Sequence, residues 1–361
     1  MPITTGLTIP FTGIQRQYNN LRTEILDVTD MVLRSGILMS GNWTAEFENW
    51  LRKRNSVRYA VTCHSGTQAL EIIAEYFREW SSINPPKVLL PAMTFPATAN
   101  AFVRAGWTVE LIDVDSYGQM NYSKIDRRSS IQAICIVGLY GQAVSDQPYY
   151  YTDWVIEDAA QHWLADDCRR RGKATAISFD PTKNLANYGN GGAVLTDDLQ
   201  LADYARDWVM HGKKRGHTDT GSNSRMSEVD CAQMMVKTRY LDAWQKRRKE
   251  IAHHWINMLK DTPVRCLIDR KNFDEHCFHK FVVDVDNRDK LAVDLKLRGI
   301  ETKVHYEKPL WELPIFDEGY RADRFLATAS SLSRRCLSLP IYPELTDLEV
   351  EYVIDRLLDC V

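Results

Sequence analysis

The sequence predicts an α/β protein: a large domain built on a mostly parallel mixed sheet, followed by a smaller C-terminal α/β domain. Three observations carry this. Short β-prone runs alternate with amphipathic helical stretches from residue 59 to about residue 200, the pattern of successive βαβ units. The run at 133–139 is apolar almost throughout, as a strand covered on both faces must be. A chain of 361 residues, 44% of them hydrophobic, is long enough for a sizeable core and two or three domains.

Taken in order, residues 1–60 read as a helical entry. Leu21, Ile25, Val28, Met31 and Val32 recur near helical spacing between 17 and 33, and Gly36 and Gly41 break the pattern. A second short helix covers 43–54. A strand at 59–62 leads into a helix at 65–80 with Ala69, Ile73, Tyr76, Phe77 and Trp80 on one face. Strands follow at 87–90 (ended by Pro91), 108–114, 133–139, 153–156, 174–179 and 193–195, with a helix at 98–105. The connection 141–152 barely reaches the dozen residues a parallel crossover needs and lacks a helical pattern, so an irregular, stunted crossover is expected. Residues 227–258 read as one long charged helix bridging to the second domain. Strand, helix and strand follow at 279–285, 290–298 and 301–306. A closing helix at 345–358 carries Thr346 as N-cap and Glu349 at the capping-box position. The division falls at 240: residues 1–240, with their N-terminal helical segment, and residues 241–361.

Charge and composition remove several function classes. Lys+Arg total 45 against Asp+Glu 48, a net charge of −3, which leaves no whole-protein basic field for nucleic acid; a local basic run such as Lys213-Lys214-Arg215 is more often a solvated loop. No stretch of about 18 apolar residues suggests a membrane span, and the first residues lack the pattern of a secretory signal. Eight scattered cysteines without a C-x-x-C pair fit reduced thiols and a cytoplasmic location. His276-x-x-His279 on a strand and His253-His254 on a helix point apart, so both are read as structural and no metal site is expected.

Three places can hold chemistry. Ser65-Gly66-Thr67 lies between a strand and a helix, where backbone N–H groups and the positive helix end suit a phosphate, although an ordinary N-cap has the same sequence. Glu157-Asp158 follows a strand at the edge where open α/β sheets collect ligands; a simple helix cap is the competing reading. Lys183, in Ser178-Phe179-Asp180-Pro181-Thr182-Lys183-Asn184, sits on a turn at the same edge before Gly189, Gly191 and Gly192. Most lysines are solvated surface, but a desolvated one there becomes a nucleophilic amine or proton shuttle. A phosphate turn, an acid at one strand end and a lysine after the next strand are together what pyridoxal phosphate requires.

Those residues, with others along the chain, resemble the DegT/StrS-type sugar aminotransferases, pyridoxal phosphate enzymes of the aspartate-aminotransferase fold (fold type I). The likeness runs through SGNWTAEFE at 40–48, SGTQAL at 65–70, PAMTFPATANA at 91–101, LYGQ at 139–142 and EDAAQ at 157–161. It continues in SFDPTKN at 178–184, GNGGAVLTDD at 189–198, NSRMSEVDCAQ at 223–233, HYEKPL at 305–310 and LSLPIYPELTDLEVEYVIDRL at the end. The resemblance implies that Lys183 is the Schiff-base lysine and proton carrier, that Asp158 pairs with the pyridinium nitrogen, and that Gln161 lies by the phenolic oxygen. By the same resemblance Gly66, Thr67 and Ser178 are phosphate ligands. Asn223 is a phosphate ligand donated by a second subunit, which implies a homodimer with a shared active site. Phe95 falls where the family stacks an aromatic ring on the cofactor, with core packing as its alternative. His305 and Tyr306 approach the sugar nucleotide, with a buried strand-end histidine as the alternative.

The implied reaction is transfer of an amino group, from glutamate by family habit, to the keto carbon of a nucleotide-linked keto-deoxy sugar, 3-keto slightly ahead of 4-keto. A sugar dehydratase of the same fold is the runner-up, but those relatives commonly replace the lysine by His. A non-catalytic regulatory relative is the third reading. Three departures stand out. Asp180 replaces a usual aromatic or His and is expected to raise the pKa of Lys183 and weaken phosphate binding; Ser222 stands where Tyr is common; and the 141–152 crossover is short.

Overall fold

The computed structural model describes residues 7–126, 130–144, 147–165, 172–217, 221–269, 271, 273–316, 321–322 and 326–361. Helix α1 (Ile14–Ser35) buries Leu21, Ile25, Val28 and Val32, and Gly36 ends it with a left-handed φ of 69°. In α2 (Asn42–Arg54) Phe47 and Leu51 are buried. The N–H groups at the start of α2, those of Gly41, Trp43 and Thr44, donate to the Glu228 carboxylate at 2.8–2.9 Å, so a distant acid caps this helix.

Strands β1 (Tyr59–Cys63), β2 (Lys87–Pro91), β3 (Thr108–Ile112), β4 (Ala133–Val137), β5 (Trp154–Asp158), β6 (Ala174–Ser178) and β7 (Gly192–Thr196) alternate in part with α3 (Gly66–Glu79), α4 (Pro96–Arg104) and α5 (Leu199–Trp208). After α6 (Glu228–Thr238) and α7 (Leu241–Met258) come β8 (Arg265–Cys266), β9 (Phe281–Asp284), α8 (Arg288–Leu297), β10 (Arg321–Ala322), α9 (Ala327–Arg335), β11 (Cys336–Leu339) and α10 (Asp347–Leu358). The large sheet runs β1-β7-β6-β5-β4-β2-β3-β10. Its pairings are parallel except those of β7, which is antiparallel to β1 and β6. Every residue of β4, β6 and β7 is buried: α3, α4 and α5 cover one face, while on the other α2, Trp163 and Met234 cover β6 and β7, and Met120, Tyr122 and Tyr151 cover Ile134 and Ile136 of β4. A second, antiparallel sheet, β11-β9-β8, packs with α7, α8 and α10 around Trp255, Phe281 and Leu295.

Between β4 and β5 two 3-10 turns, Leu139–Gly141 and Gln147–Tyr150, take the place of a crossover helix; residues 145–146 of that connection lie outside the described residues. Four expectations need correction. The helix at 227–258 is two helices broken at Arg239–Tyr240, because α6 packs Ala232 and Val236 against α1 while α7 carries Ile251 and Trp255 into the small-sheet core. The strand at 279–285 starts only at Phe281, since Lys280 N–H donates to the Tyr140 carbonyl (3.0 Å). Residues 301–306 pair with the small sheet only at Lys303, opposite Ser338, and the His305 carbonyl accepts from Tyr140 Oη instead (2.6 Å). Finally, β5 runs through Glu157 and Asp158 rather than stopping before them. Strand alternation then sends the two acids to opposite faces.

His276 and His279 are both buried ahead of β9, and no group of His, Cys, Asp and Glu among the described residues is arranged to hold a metal. No disulfide joins the described cysteines; Cys168 is outside them. No helix among the described residues is long and apolar enough to cross a membrane.

Candidate active site

The carboxyl ends of β1, β2, β5 and β6 open on one cavity of about 340 Å³, lined by residues from the turns that follow each strand. Ser65 caps α3 by accepting from Gln68 N–H (3.2 Å). The next N–H groups, on Gly66 and Thr67, face the cavity from the positive end of the helix. Gly66 is held against Ser178: a Cβ there would lie 2.7 Å from Ser178 Cβ. Gly192 permits the same approach, since its Cβ would lie 2.4 Å from the Ser65 carbonyl carbon. The two glycines thus let a helix start and a strand end close into one cradle with the Ser178 hydroxyl inside it.

Asp158 ends β5 and is buried. Its Oδ2 accepts from Thr98 Oγ1 (2.7 Å), which is itself 3.0 Å from Thr94 Oγ1, and its Oδ1 accepts from Ala160 N–H (3.2 Å). On the opposite face Glu157 meets His162 Nε2 (2.8 Å) and Thr175 Oγ1 (2.9 Å), while His162 Nδ1 accepts from Gly138 N–H (3.0 Å). The neighbouring acids therefore differ in kind: Glu157 belongs to a closed internal network, Asp158 to the cavity.

Lys183 follows β6 on a braced turn. Asp180 Oδ1 accepts from Thr182 N–H (2.9 Å) and Thr182 Oγ1 (2.6 Å), and the Asp180 carbonyl accepts from Lys183 N–H (2.9 Å). Beyond it, Asn184 Nδ2 donates to Gln245 Oε1 (2.9 Å) and the Cys277 carbonyl (2.8 Å). Buried Lys237 donates to the Ala186 carbonyl (2.6 Å) beneath the Tyr188 ring, 3.4 Å away. Burial lowers the pKa of the Lys183 amine, against the opposing pull of Asp158 and Asp180. The expected upward effect of Asp180 is present, but desolvation wins, and the net direction is down.

Gln161, Tyr306 and His305 close the far wall. Gln161 Oε1 accepts from Tyr140 N–H (2.8 Å) and its Nε2 donates to Tyr306 Oη (2.9 Å). Burial, with Lys280, Lys303 and Lys183 nearby, holds the His305 imidazole down to about 3, and its Nδ1 is 2.8 Å from Ser338 Oγ. Phe95 is 54% exposed with its ring 5.8 Å from that of Tyr306, whereas Met93 and Phe102 are core; packing alone does not account for it. Asn223 stands apart: it is exposed, bridges to Met210 and does not line the cavity of its own chain. Lys213 and Lys214 are solvated on a 3-10 turn away from the cavity; the Arg215 side chain is outside the described residues.

Thr94, Thr98, Tyr140 and Lys280, to which the sequence assigned no role, also shape the site, as does His279, expected to be structural only. Only the Thr94/Thr98 spacing of four, one turn at the start of α4, was available as a signal.

A desolvated amine facing a fixed, solvent-shielded carboxylate, beside a cradle for an anion, is equipment for amine chemistry on a carbonyl, and the protein is of the amine-transferring class. The chain belongs to the DegT/DnrJ/EryC1/StrS aminotransferase family, whose model matches residues 19–358. It is 31% identical to the pleiotropic regulatory protein of Geobacillus stearothermophilus, over 98% of either chain. It is 30% identical to dTDP-3-amino-3,4,6-trideoxy-alpha-D-glucose transaminase of Streptomyces venezuelae, covering 96% of this chain and 94% of that one. The crystal structure of NtdA from Bacillus subtilis with bound cofactor PMP superposes with a TM-score of 0.85 at 25% identity, covering 100% of this chain and 86% of that one.

Proposed function

We propose that this protein is a pyridoxal phosphate-dependent aminotransferase that moves an amino group from L-glutamate to the keto carbon of a nucleotide-linked keto-deoxy sugar, at carbon 3. The observation that carries this reading is the meeting of Lys183, Asp158 and the Gly66–Ser178 cradle in one cavity, with a lysine where a dehydratase of this fold would carry another residue. Carbon 3 is favoured by the name of the S. venezuelae relative, a 3-amino sugar transaminase.

Pyridoxal phosphate, when bound, supplies an electron sink for the charge left at the carbon that carries the nitrogen. Asp158, already aligned by Thr98 and Ala160, would hold the proton on the ring nitrogen. Gly66 and Thr67 N–H groups, with the Ser178 hydroxyl, receive the phosphate at the start of α3. Phe95 offers an exposed ring for stacking, and Gln161 reaches the phenolic oxygen. Lys183 Nζ, its pKa lowered by burial, takes the proton from donor carbon and returns it to the sugar carbon. His305 and Tyr306 meet the sugar nucleotide.

Asn223 belongs, in this reading, to the site of a second copy, making the enzyme a homodimer. Leu38 and Met39 meet Glu228 and Ser227, a few residues after Asn223, and Met31, Leu33, Ile37 and Leu38 before them are all exposed. An apolar strip of this kind is what a partner covers. The cytoplasm is the compartment that suits these thiols and substrates.

The test is spectroscopic. Protein mixed with pyridoxal phosphate should develop a visible absorption band that L-glutamate bleaches, and Lys183→Ala should lose the band and slow transfer by at least about a hundredfold. A wild-type protein without the band, indifferent to glutamate, overturns the assignment.

A further inference from the structure

One corner of the cavity holds positive charge that the transfer just described does not use. Lys280, immediately before β9, is only 6% exposed and lines the cavity beside Lys183, His279 and His305. Its Nζ lies 4.9 Å from the centre of the Phe11 ring; Lys303 Nζ lies 5.3 Å from the same ring, and the His305 ring stacks on it at 5.8 Å. Phe11 is itself buried and tethered, its N–H donating to Glu301 Oε2 (2.9 Å). Among the described residues the Lys280 amine has neither a hydrogen bond nor an ion pair.

That is an expensive arrangement. A desolvated amine without a counter-charge opposes folding, and an aromatic face offsets only part of the loss. Burial lowers its pKa well below the ordinary value; Lys183, Arg248 and Lys303 add to this, and Asp180 opposes them. The corner therefore lacks one negative partner, and the cavity is the side from which one can arrive. The phosphate cradle at Gly66 and Ser178 is formed by other elements and leaves Lys280 unassigned.

We propose that Lys280, backed by Lys303 across the Phe11 ring, receives an oxyanion that a substrate carries into the cavity, a carboxylate or phosphoryl oxygen. The inference rests on the aminotransferase reading, which supplies two carriers: the amino donor's carboxylates and an acidic substituent on the sugar.

Lys280→Met keeps the length of the side chain and removes the charge. Wild type and variant, loaded with pyridoxal phosphate, are titrated with L-glutamate; loaded with pyridoxamine phosphate, they are titrated with 3-keto sugar nucleotides bearing either a carboxylate or a methyl group at carbon 6. Loss of a charge-assisted hydrogen bond should raise the apparent Kd for one carrier roughly tenfold to a hundredfold, with the limiting rate changed by less than about threefold. Weakened glutamate binding assigns the donor; weakened binding of the carboxylated sugar alone assigns the sugar. Lys280→Arg should keep more of the affinity than Lys280→Met, and the melting temperature of Lys280→Met should equal or exceed that of wild type. Unchanged affinity in both half-reactions overturns the proposal, as does a lower melting temperature with equal losses in both. If wild type itself fails to bind the cofactor or respond to glutamate, it is the aminotransferase reading that falls.

Discussion

Gly66 shows how much one atom can decide. A methyl group there would press within 2.7 Å of Ser178 Cβ and 3.2 Å of its Cα, so β6 and α3 must separate and the cradle must widen. Gly66→Ala should weaken pyridoxal phosphate binding by more than roughly tenfold in equilibrium dialysis. Gly189→Ala is the control, because the nearest atom to its added Cβ, Asn187 Nδ2, is 3.8 Å away; it should bind as wild type does. Equal binding by both variants would remove Gly66 from the site. At this scale Asp158 and Lys183 were legible because Asp158 ends one strand and Lys183 lies on the turn after the next, and strands of a parallel sheet deliver their ends to one edge. Thr98 and Tyr140 were not. Tyr140 reaches His305 across 165 positions of sequence and nothing local marks it; Thr98 reaches Asp158 across 60, and its spacing from Thr94 does not point to that acid.

Among the elements, α10 was the most predictable. Thr346 Oγ1 accepts from Glu349 N–H (3.2 Å), and the Glu349 carboxylate accepts from Thr346 N–H (2.9 Å), the reciprocal box its four-residue pattern encodes. Thr346→Ala should cost about 1 kcal/mol in urea unfolding, whereas Thr346→Ser should cost a few tenths at most. A loss as large with Ser would mean that the methyl, and not the cap, matters. The break between α6 and α7 was hidden, since Arg239 and Tyr240 are acceptable helix residues and neither Gly nor Pro marks the turn. Two cores pulling on one charged stretch produced it, as residues 239–240 separate the part that packs on α1 from the part that packs on Phe281. The stunted connection after β4 was visible by length alone.

For the whole molecule the proposed shared site makes a sharp prediction. Lys183→Ala and Asn223→Ala should each be nearly inactive as homodimers. Mixed and re-equilibrated in equal amounts, they should recover about a quarter of wild-type activity, because half the dimers are hybrids and one of the two sites in each hybrid is intact. No recovery would place Asn223 outside a neighbour's site. The strip formed by Met31, Leu33, Ile37 and Leu38 should also disappear from solvent, read as slower hydrogen exchange at residues 31–39 as concentration rises through dimerisation.

By itself the sequence determined the alternation of strands and helices, the buried β4 and the order of acid and lysine along the sheet edge. Those features follow from periodicity, from apolar runs and from what stands next to a strand end. Only the tertiary structure decided that Glu157 turns away from the cavity, that burial outweighs Asp180 at Lys183, and that Lys280 stands there without a counter-charge. Facing, desolvation and charge balance depend on neighbours brought from far along the chain, and a linear pattern of residue types holds no record of those distances.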